Sequence, residues 1–322
     1  MIRLTERSIV GLRAWIAADP RPVLLDGGLS TQLGATDISG PLWTARAVLE
    51  APQRVQQAHG EFLQAGAEIL ITGSYQVSRL GFTRAGYRTA DADHALRNSV
   101  ALARAAVDRY VTSSPTTRTQ RREPLVAASV GPYGAILHDG SEYVGDYGVG
   151  MRQLREFHRE RIDLLAQAEP DLLAIETIPD LREVTVLVEV LAEYPHLAAT
   201  VSCTLRDAGH LSAGQGLEEL HAFTSDQILA LGVNCCPPEL VPAAVGTLRS
   251  ATARPVVAYP NVGATWQASS ERWIPREGIT AEGPAAGHLV LAEPVADLVG
   301  GCCGTQASDI AELRKHVEAL RH

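Results

Sequence analysis

The sequence predicts a single (β/α)8 barrel that occupies the whole chain, residues 1–322. Eight short apolar runs, rich in β-branched residues, recur along it. Most of these runs are continuously hydrophobic rather than alternating, which is typical of parallel strands buried on both faces. Amphipathic stretches with helical periodicity separate the runs. This alternation over the full length is the pattern of an α/β barrel, and no domain boundary interrupts it.

The predicted strands and helices follow one another along the chain. The strands are predicted at 23–28, 68–75, 125–131, 172–177, 199–205, 228–235, 255–261 and 296–303. The clearest helices are predicted at 51–67, 94–110, 151–168, 180–194 and roughly 305–320. The first of these helices is expected to bury one face, formed by Val55, His59, Phe62 and Leu63. The last is expected to be capped by Thr305 or Ser308.

Two stretches depart from the regular alternation. The segment 112–123 is polar and rich in Thr and Arg, which predicts a solvated loop. The segment 265–290 is rich in Gly, Pro and polar residues, so the seventh βα unit is predicted to be irregular.

Composition excludes several classes of protein. The chain is 46% apolar with a net charge of −9, which predicts a folded domain rather than a disordered one. Its acidic balance argues against a nucleic-acid partner. The sequence contains no run of 18 or more apolar residues, so no membrane span is predicted. Charges are scattered through the N-terminus, which does not resemble a signal peptide. We therefore expect a cytoplasmic protein; the oligomeric state is not predicted.

The shortage of lysine removes two mechanisms. Lys315 is the only lysine, so no GxxxxGK[ST] phosphate loop can be formed. Lys315 lies in a predicted surface helix, which argues against Schiff-base chemistry.

Cysteines stand at the ends of two predicted strands. Active sites of such barrels lie at the carboxyl ends of the strands, and strands six and eight are separated by one strand only. Cys235, Cys302 and Cys303 can therefore approach one another across the mouth of the barrel. Three thiolates suit Zn²⁺ and leave one of its four tetrahedral positions open, as in catalytic zinc sites.

The charge of such a centre indicates its chemistry. Zn²⁺ with three thiolates carries a net charge of −1, which makes it a poor activator of water or of carbonyl groups. It can still keep a substrate thiol ionised at neutral pH. The expected reaction is alkylation of that thiol by an electrophile that loses a positive charge, such as a methylsulfonium.

Two alternatives remain for the cysteines. Cysteine is often a small buried apolar residue, and this interpretation is preferred for Cys203. The same interpretation applied to all five cysteines would give a metal-free barrel, whereas metal binding without catalysis would give a buffering or interaction protein. His59 and His158 lie within predicted helices and are interpreted as packing or surface residues.

At the level of motifs the chain resembles the zinc-dependent homocysteine S-methyltransferases, and most closely the branch that uses S-methylmethionine. The resembling segments occur in family order over almost the whole chain. They include LLDGGLSTQL, PLWTAR, ASVGPYGAILHDGSEYVGDY, LLAIETIPD, GVNCCPPE, VAYPNVG and GGCCGT. GVNC followed by GGCC is the most specific feature.

The resemblance implies roles for individual residues. The zinc ligands fall on Cys235, Cys302 and Cys303, and Cys236 lies just beyond a ligand position. The homocysteine contacts fall on Asp26, Gly27 and Glu176. The carboxylates of Asp26 and Glu176 would hold the substrate ammonium by charge-assisted hydrogen bonds. The alternatives are a cap or turn role for Asp26 and a structural ion pair with a rim arginine for Glu176.

Less specific parts of the resemblance imply further residues of the substrate site. Trp43 and Tyr75 stand where the family places groups near its substrates, and an aromatic face attracts a sulfonium. Plain packing at the barrel mouth is the alternative for both. Ser74 and Asn234 are predicted to donate hydrogen bonds to the substrate or to orient the metal site. Arg206 and Asp207 resemble a family segment without an assignable role.

One departure narrows the predicted function. The betaine-using branch has a tyrosine after the glutamate of the fourth strand, and this chain has Thr177. The resemblance therefore implies methyl transfer from S-methylmethionine to homocysteine, with S-adenosylmethionine as a second donor. Selenocysteine, selenohomocysteine or another small thiol are alternative acceptors.

Overall fold

Eight parallel strands form the barrel of the computed structural model, which describes residues 7–34, 42–113, 122–262, 264–267, 272–275 and 296–320. The strands are β1 (Val23–Leu24), β2 (Ile69–Ile71), β3 (Leu125–Val130), β4 (Leu172–Ile178), β5 (Ala199–Cys203), β6 (Ile228–Asn234), β7 (Val256–Tyr259) and β8 (Leu298–Val299). Each predicted strand is found in place.

The barrel closes between its first and last strands. Adjacent strands pair in sequence from β2 to β8, and β8 then pairs with β1 through Val23 and Leu298. A parallel bridge between Leu25 and Ile69 joins the end of β1 to β2. The prediction of a (β/α)8 barrel is confirmed.

Helices surround the barrel. They are α1 (Ile9–Ala17), α2 (Leu29–Leu33), α3 (Trp43–Glu50), α4 (Pro52–Ala65), α5 (Arg79–Arg84), α6 (Thr89–Ser113), α7 (Met151–Gln167), α8 (Leu181–Leu191), α9 (Val241–Ala251) and α10 (Ala307–Ala319). The predicted face of α4 is buried as expected. No helix in the described ranges is long and apolar enough to cross a membrane.

The core has an outer layer and an inner layer. The outer layer lies between sheet and helices and contains residues such as Val126, Ile175 and Leu231. The inner layer fills the barrel, and Leu12 and Trp15 of α1 pack against it. Because α1 packs against residues at the strand beginnings, it covers the amino-terminal end of the barrel and leaves the opposite end for a site.

The connections after four strands contain additional short elements. Short 3₁₀ helices, Tyr133–Ile136 and Ser141–Tyr143, follow β3. An antiparallel pair of strands, Leu205–Asp207 and His210–Leu211, follows β5, with 3₁₀ helices at Leu217–Ala222 and, after β6, Pro238–Leu240. Ala264–Gln267 and Arg272–Pro275 form a second antiparallel pair after β7. The rest of the 265–290 prediction, and most of the 112–123 loop, lie outside the described residues.

The cap of α10 differs from the prediction. Gln306 is the N-cap residue, and its backbone N–H donates to Asp309 Oδ2 at 2.7 Å. Thr305 instead donates its hydroxyl hydrogen to the carbonyl oxygen of Cys302. The glycine-rich turn at the end of β8 therefore takes the hydroxyl that would have capped the helix, and Ser308 lies within the first turn.

Candidate metal centre and substrate cavity

Three cysteine sulfurs meet at the carboxyl end of the barrel. The Sγ atoms of Cys235, Cys302 and Cys303 all lie within 4.8 Å of one another, and the Cys235–Cys303 distance is 3.7 Å. Ligands about 2.3 Å from a tetrahedral zinc ion stand about 3.8 Å apart. The donor set and its spacing therefore fit a zinc ion with three protein ligands.

The end of β7 links the two cysteine segments. Cys235 N donates to Tyr259 O at 3.1 Å, and Cys302 N donates to Pro260 O at 2.8 Å. Cys235 itself has a φ of 47°, which turns the chain sharply after β6. The backbone hydrogen bonds of one intervening strand thus set the distance between sulfurs that are far apart in sequence.

A glycine allows the turn that carries Cys302 and Cys303. Gly304 has a φ of +88°, and a Cβ atom there would meet Val262 Cγ2 at 2.2 Å. A larger residue would push the turn away from the end of β7. Of the three glycines in the segment GGCCG, Gly304 is the one with positive φ.

The other two cysteines lie in the outer core. Cys203 and Cys236 are buried, and neither belongs to the sulfur cluster. Burial raises the pKa of both thiols, which keeps them protonated. The placement of Cys203 matches its interpretation as a packing residue, and Cys236 lies outside the cluster, as its position beyond the ligand motif implies.

A cavity opens directly above the sulfur cluster. It contains about 870 Å³ of empty space, its open mouth included. Its wall has three carboxylates, three tyrosines and the three clustered cysteines, namely Asp26, Glu142, Glu176, Tyr75, Tyr143, Tyr259, Cys235, Cys302 and Cys303. No lysine, arginine or histidine of the described residues lines it. A cation is the ligand that such a wall favours.

Asp26 is buried at the end of β1, with one oxygen engaged and one unpaired. Its Oδ2 accepts a hydrogen bond from Ile71 N at 2.8 Å, while Oδ1 has no partner. Burial raises the pKa of this carboxyl well above its ordinary value. The bond to Ile71 is a structural role, and the buried second oxygen has its hydrogen-bonding capacity unused. The predicted neighbour Gly27 also lines the cavity.

Glu176 is held by hydroxyl groups rather than by a cation. Ser129 donates to its Oε1, and the Tyr259 hydroxyl is also hydrogen-bonded to it. Burial raises the pKa of Glu176 to about 7. No arginine pairs with it in the described part of the chain, so the alternative of an ion pair with a rim arginine finds no support.

Two predicted site residues lie behind the cavity wall. Asn234 is fully buried, and its amide binds Thr177 and Ser202. Ser74 is fully buried and donates to Ser129 O at 2.8 Å. Because neither lines the cavity, neither reaches a ligand there directly. Their side chains instead position the ends of the strands.

The two predicted aromatic residues have different outcomes. Tyr75 lines the cavity, and its ring lies against Gly131, where an added Cβ would come within 2.5 Å of the ring. Trp43 begins α3, but its side chain is outside the described part of the structure.

Three residues of the wall are absent from the prediction. Tyr143 places its hydroxyl 3.4 Å from Cys235 Sγ, Glu142 stands beside it in sequence, and Tyr259 ends β7. All three lie in segments that resemble the family. Periodicity, however, does not indicate which side chains of an irregular loop face the site.

The two histidines singled out in the sequence are both fully buried. His158 Nε2 lies 2.7 Å from Glu183 Oε1, while neither ring nitrogen of His59 has a hydrogen-bond partner. Both are packing residues, as expected, and neither lines the cavity.

Comparisons with known proteins agree with this geometry. A family model described as homocysteine S-methyltransferase matches residues 23–317. The homocysteine S-methyltransferase of Escherichia coli is 40% identical over 297 residues, which is 91% of this chain and 94% of that protein. The selenocysteine methyltransferase of Astragalus bisulcatus is 35% identical over 311 residues, 92% of each chain.

Solved structures give the same result. The metallated form of the homocysteine methyltransferase MmuM from Escherichia coli superposes with a TM-score of 0.79 at 38% identity, covering 95% of this chain and 99% of that one. Its oxidized form gives a TM-score of 0.81 at 37% identity, with the same coverage. The family match covers nearly all of the barrel, including the cysteine cluster, and the chain belongs to the homocysteine S-methyltransferase family.

Proposed function

We propose that this protein transfers a methyl group from S-methylmethionine to the thiol of homocysteine, forming two molecules of methionine. The observation that carries the proposal is the sulfur cluster of Cys235, Cys302 and Cys303 at the base of a cavity walled by carboxylates. S-adenosylmethionine is proposed as a second donor. A selenol such as selenocysteine is a second acceptor, because a relative is named for that activity.

The three thiolates would hold Zn²⁺. Zinc bound there would supply one function, which is to keep the acceptor thiol ionised at neutral pH. A free thiol of pKa about 8.5 is only a few per cent ionised at pH 7. No protein base is required when the acceptor is already a thiolate.

Asp26 and Glu176 would bind the ammonium of homocysteine. Both carboxylates are buried, and Asp26 Oδ1 has no hydrogen-bond partner. An ammonium between them would supply charge-assisted hydrogen bonds and favour their ionised forms. Ser129 and Tyr259 would hold Glu176 in place for this contact.

The transfer itself is an in-line displacement. The acceptor sulfur forms a bond to the methyl carbon while the bond from that carbon to the sulfonium sulfur breaks. The electron pair of the broken bond stays on the departing sulfur, which leaves as a neutral thioether. The acceptor's proton is released to solvent.

A panel of donors tests this proposal. Methionine formation would be measured with zinc-loaded enzyme, homocysteine and S-methylmethionine, S-adenosylmethionine, betaine or a methylfolate. We expect the sulfonium donors to be used and the other two not. Faster turnover with betaine or methylfolate would overturn the choice of donor, and no methionine from any donor would favour a non-catalytic metal-binding barrel.

Metal content is the second arm of the test. We expect one zinc per wild-type chain, and its loss in Cys302→Ala. The matched control is Cys203→Ala, which removes a core cysteine outside the cluster and should leave zinc bound. A wild-type protein that is active without metal would favour the metal-free alternative.

A further inference from the structure

Glu142 is a buried carboxylate on the cavity wall that has no assigned task in the proposed reaction. Glu142 is 9% exposed, and its Oε2 atom has no hydrogen-bond partner. No cationic side chain pairs with it in the described ranges, and none lines the cavity. Burial raises the pKa of Glu142 to about 7, so a cationic ligand would pair with the unpartnered oxygen and favour the ionised form of the carboxylate.

The loop that carries Glu142 is firmly positioned. Glu183 accepts hydrogen bonds from Tyr133 N at 2.7 Å and from the Tyr147 hydroxyl at 2.8 Å, and these residues lie on either side of Glu142 in sequence. Gly134 packs directly beneath it, because a Cβ at Gly134 would approach Glu142 N to 2.6 Å. The position of the carboxylate is therefore set by the fold.

The surroundings of Glu142 suit a soft, methylated cation. Tyr143 lies beside it and reaches Cys235, and Tyr75 lines the same cavity. The negative charge of Glu142 adds to burial in raising the pKa of Tyr75, whose ring lines the cavity with it. Aromatic rings with a carboxylate bind methylated onium ions well.

We propose that Glu142, with the rings of Tyr75 and Tyr143, binds the sulfonium group of the methyl donor. The inference rests on the proposed function. Asp26 and Glu176 are assigned to the ammonium of the acceptor, so Glu142 is the remaining carboxylate among the described residues of the wall. Its loop reaches the sulfur cluster beside Cys235, from which a donor can face the acceptor sulfur.

The chemistry gives this contact a specific kinetic signature. The sulfonium loses its charge during transfer, so a nearby carboxylate attracts the bound donor more strongly than it attracts the transition state. Glu142 is therefore expected to strengthen donor binding without raising kcat. Its neutralisation should raise the KM for the donor and leave kcat unchanged or higher.

The test compares Glu142→Gln with the wild type in equilibrium binding without acceptor, so that no turnover occurs. Two matched pairs are measured: S-methylmethionine against methionine, and 3-dimethylsulfoniopropionate against 3-(methylthio)propionate, which lacks an ammonium. We expect the variant to bind both sulfonium compounds about 10- to 100-fold more weakly than the wild type does, and to bind both neutral thioethers with an affinity within about twofold of the wild type.

The control is Asp139→Asn, which changes an exposed carboxylate in the same loop and should leave the affinity for both kinds of ligand unchanged. Glu142→Asp, which keeps the charge, should give intermediate affinity and serves if Glu142→Gln does not fold.

The remaining outcomes overturn the proposal. Equal weakening of the binding of sulfonium and neutral ligands would mean a structural role for Glu142. If Glu142→Gln weakened the binding of S-methylmethionine but not that of 3-dimethylsulfoniopropionate, Glu142 would be assigned to the ammonium of the donor instead of its sulfonium. Failure of the proposed function is seen separately, because the wild type would then make no methionine from a sulfonium donor.

Discussion

The side-chain amide of Asn234 forms hydrogen bonds to the backbone N–H and to the side-chain hydroxyl of Thr177. Its Oδ1 accepts from Thr177 N, and its Nδ2 donates to Thr177 Oγ1, both at 2.7 Å. Thr177 has a φ of 59°, a strained conformation for a β-branched residue. Asn234 therefore holds the turn after Glu176 from across β5, and it directly precedes Cys235, a proposed zinc ligand.

We predict that Asn234→Ala lowers the free energy of unfolding by about 2 kcal/mol, because it leaves the buried Thr177 N–H without an acceptor. It should also lower kcat/KM by about tenfold through displacement of Glu176 and Cys235. Urea unfolding and steady-state kinetics check the two effects. Ser250→Ala removes an exposed helical hydroxyl and should change neither by much. If Asn234→Ala were as stable as Ser250→Ala, the side-chain amide of Asn234 would not be needed to hold the turn at Thr177.

Removal of the metal should destabilise the wild type selectively. A ligand bound only by the folded state adds about 2.7 kcal/mol when its free concentration is 100 times its Kd. We predict that a chelator lowers the Tm of the wild type and leaves that of Cys302→Ala unchanged. Differential scanning calorimetry checks this, and an equal shift in both proteins would contradict a role of the cysteine cluster in metal binding.

The barrel and its cysteine cluster could be predicted because both depend on local pattern and strand order. Continuous apolar runs mark the strands, and a closed parallel barrel brings the ends of β6 and β8 together. Glu142 and Tyr143 could not be found in this way, since they lie in irregular structure whose side-chain directions depend on Glu183. For Asn234 the sequence predicts either contact with the substrate or orientation of the metal site. Its partner Thr177 is 57 residues away in sequence, and that contact turns the amide away from the cavity, which leaves orientation of the metal site as the prediction.

His59 should make the stability of the protein depend on pH. Burial lowers the pKa of His59 from 6.5 to about 4, and both ring nitrogens lack partners. Between these values the unfolded chain binds a proton that the folded chain does not, so stability falls as the pH falls. The loss reaches about 3 kcal/mol at pH 4 and is absent above about pH 7.

We therefore predict that His59→Leu removes this part of the pH dependence, as measured by urea unfolding at pH 4, 5, 6 and 7. His221→Gln, at an exposed histidine, should keep the wild-type profile. An unchanged slope in His59→Leu would place the acid sensitivity in other groups.

Arg161 is a fully buried cation that binds carbonyl groups from two loops of the barrel mouth. It donates to Val77 O at 2.9 Å, to Gly131 O at 2.7 Å and to Tyr75 O at 2.7 Å. Burial lowers its pKa to about 10, which still leaves it charged at neutral pH.

A lysine has one compact donor group and cannot reproduce this fork. We predict that Arg161→Lys lowers the free energy of unfolding by about 2–3 kcal/mol because carbonyl groups lose their buried donors. Arg155→Lys, on the exposed face of α7, should cost less than about 0.5 kcal/mol. Chemical denaturation of the two variants decides the matter, and equal stabilities would mean that water replaces the guanidinium without loss.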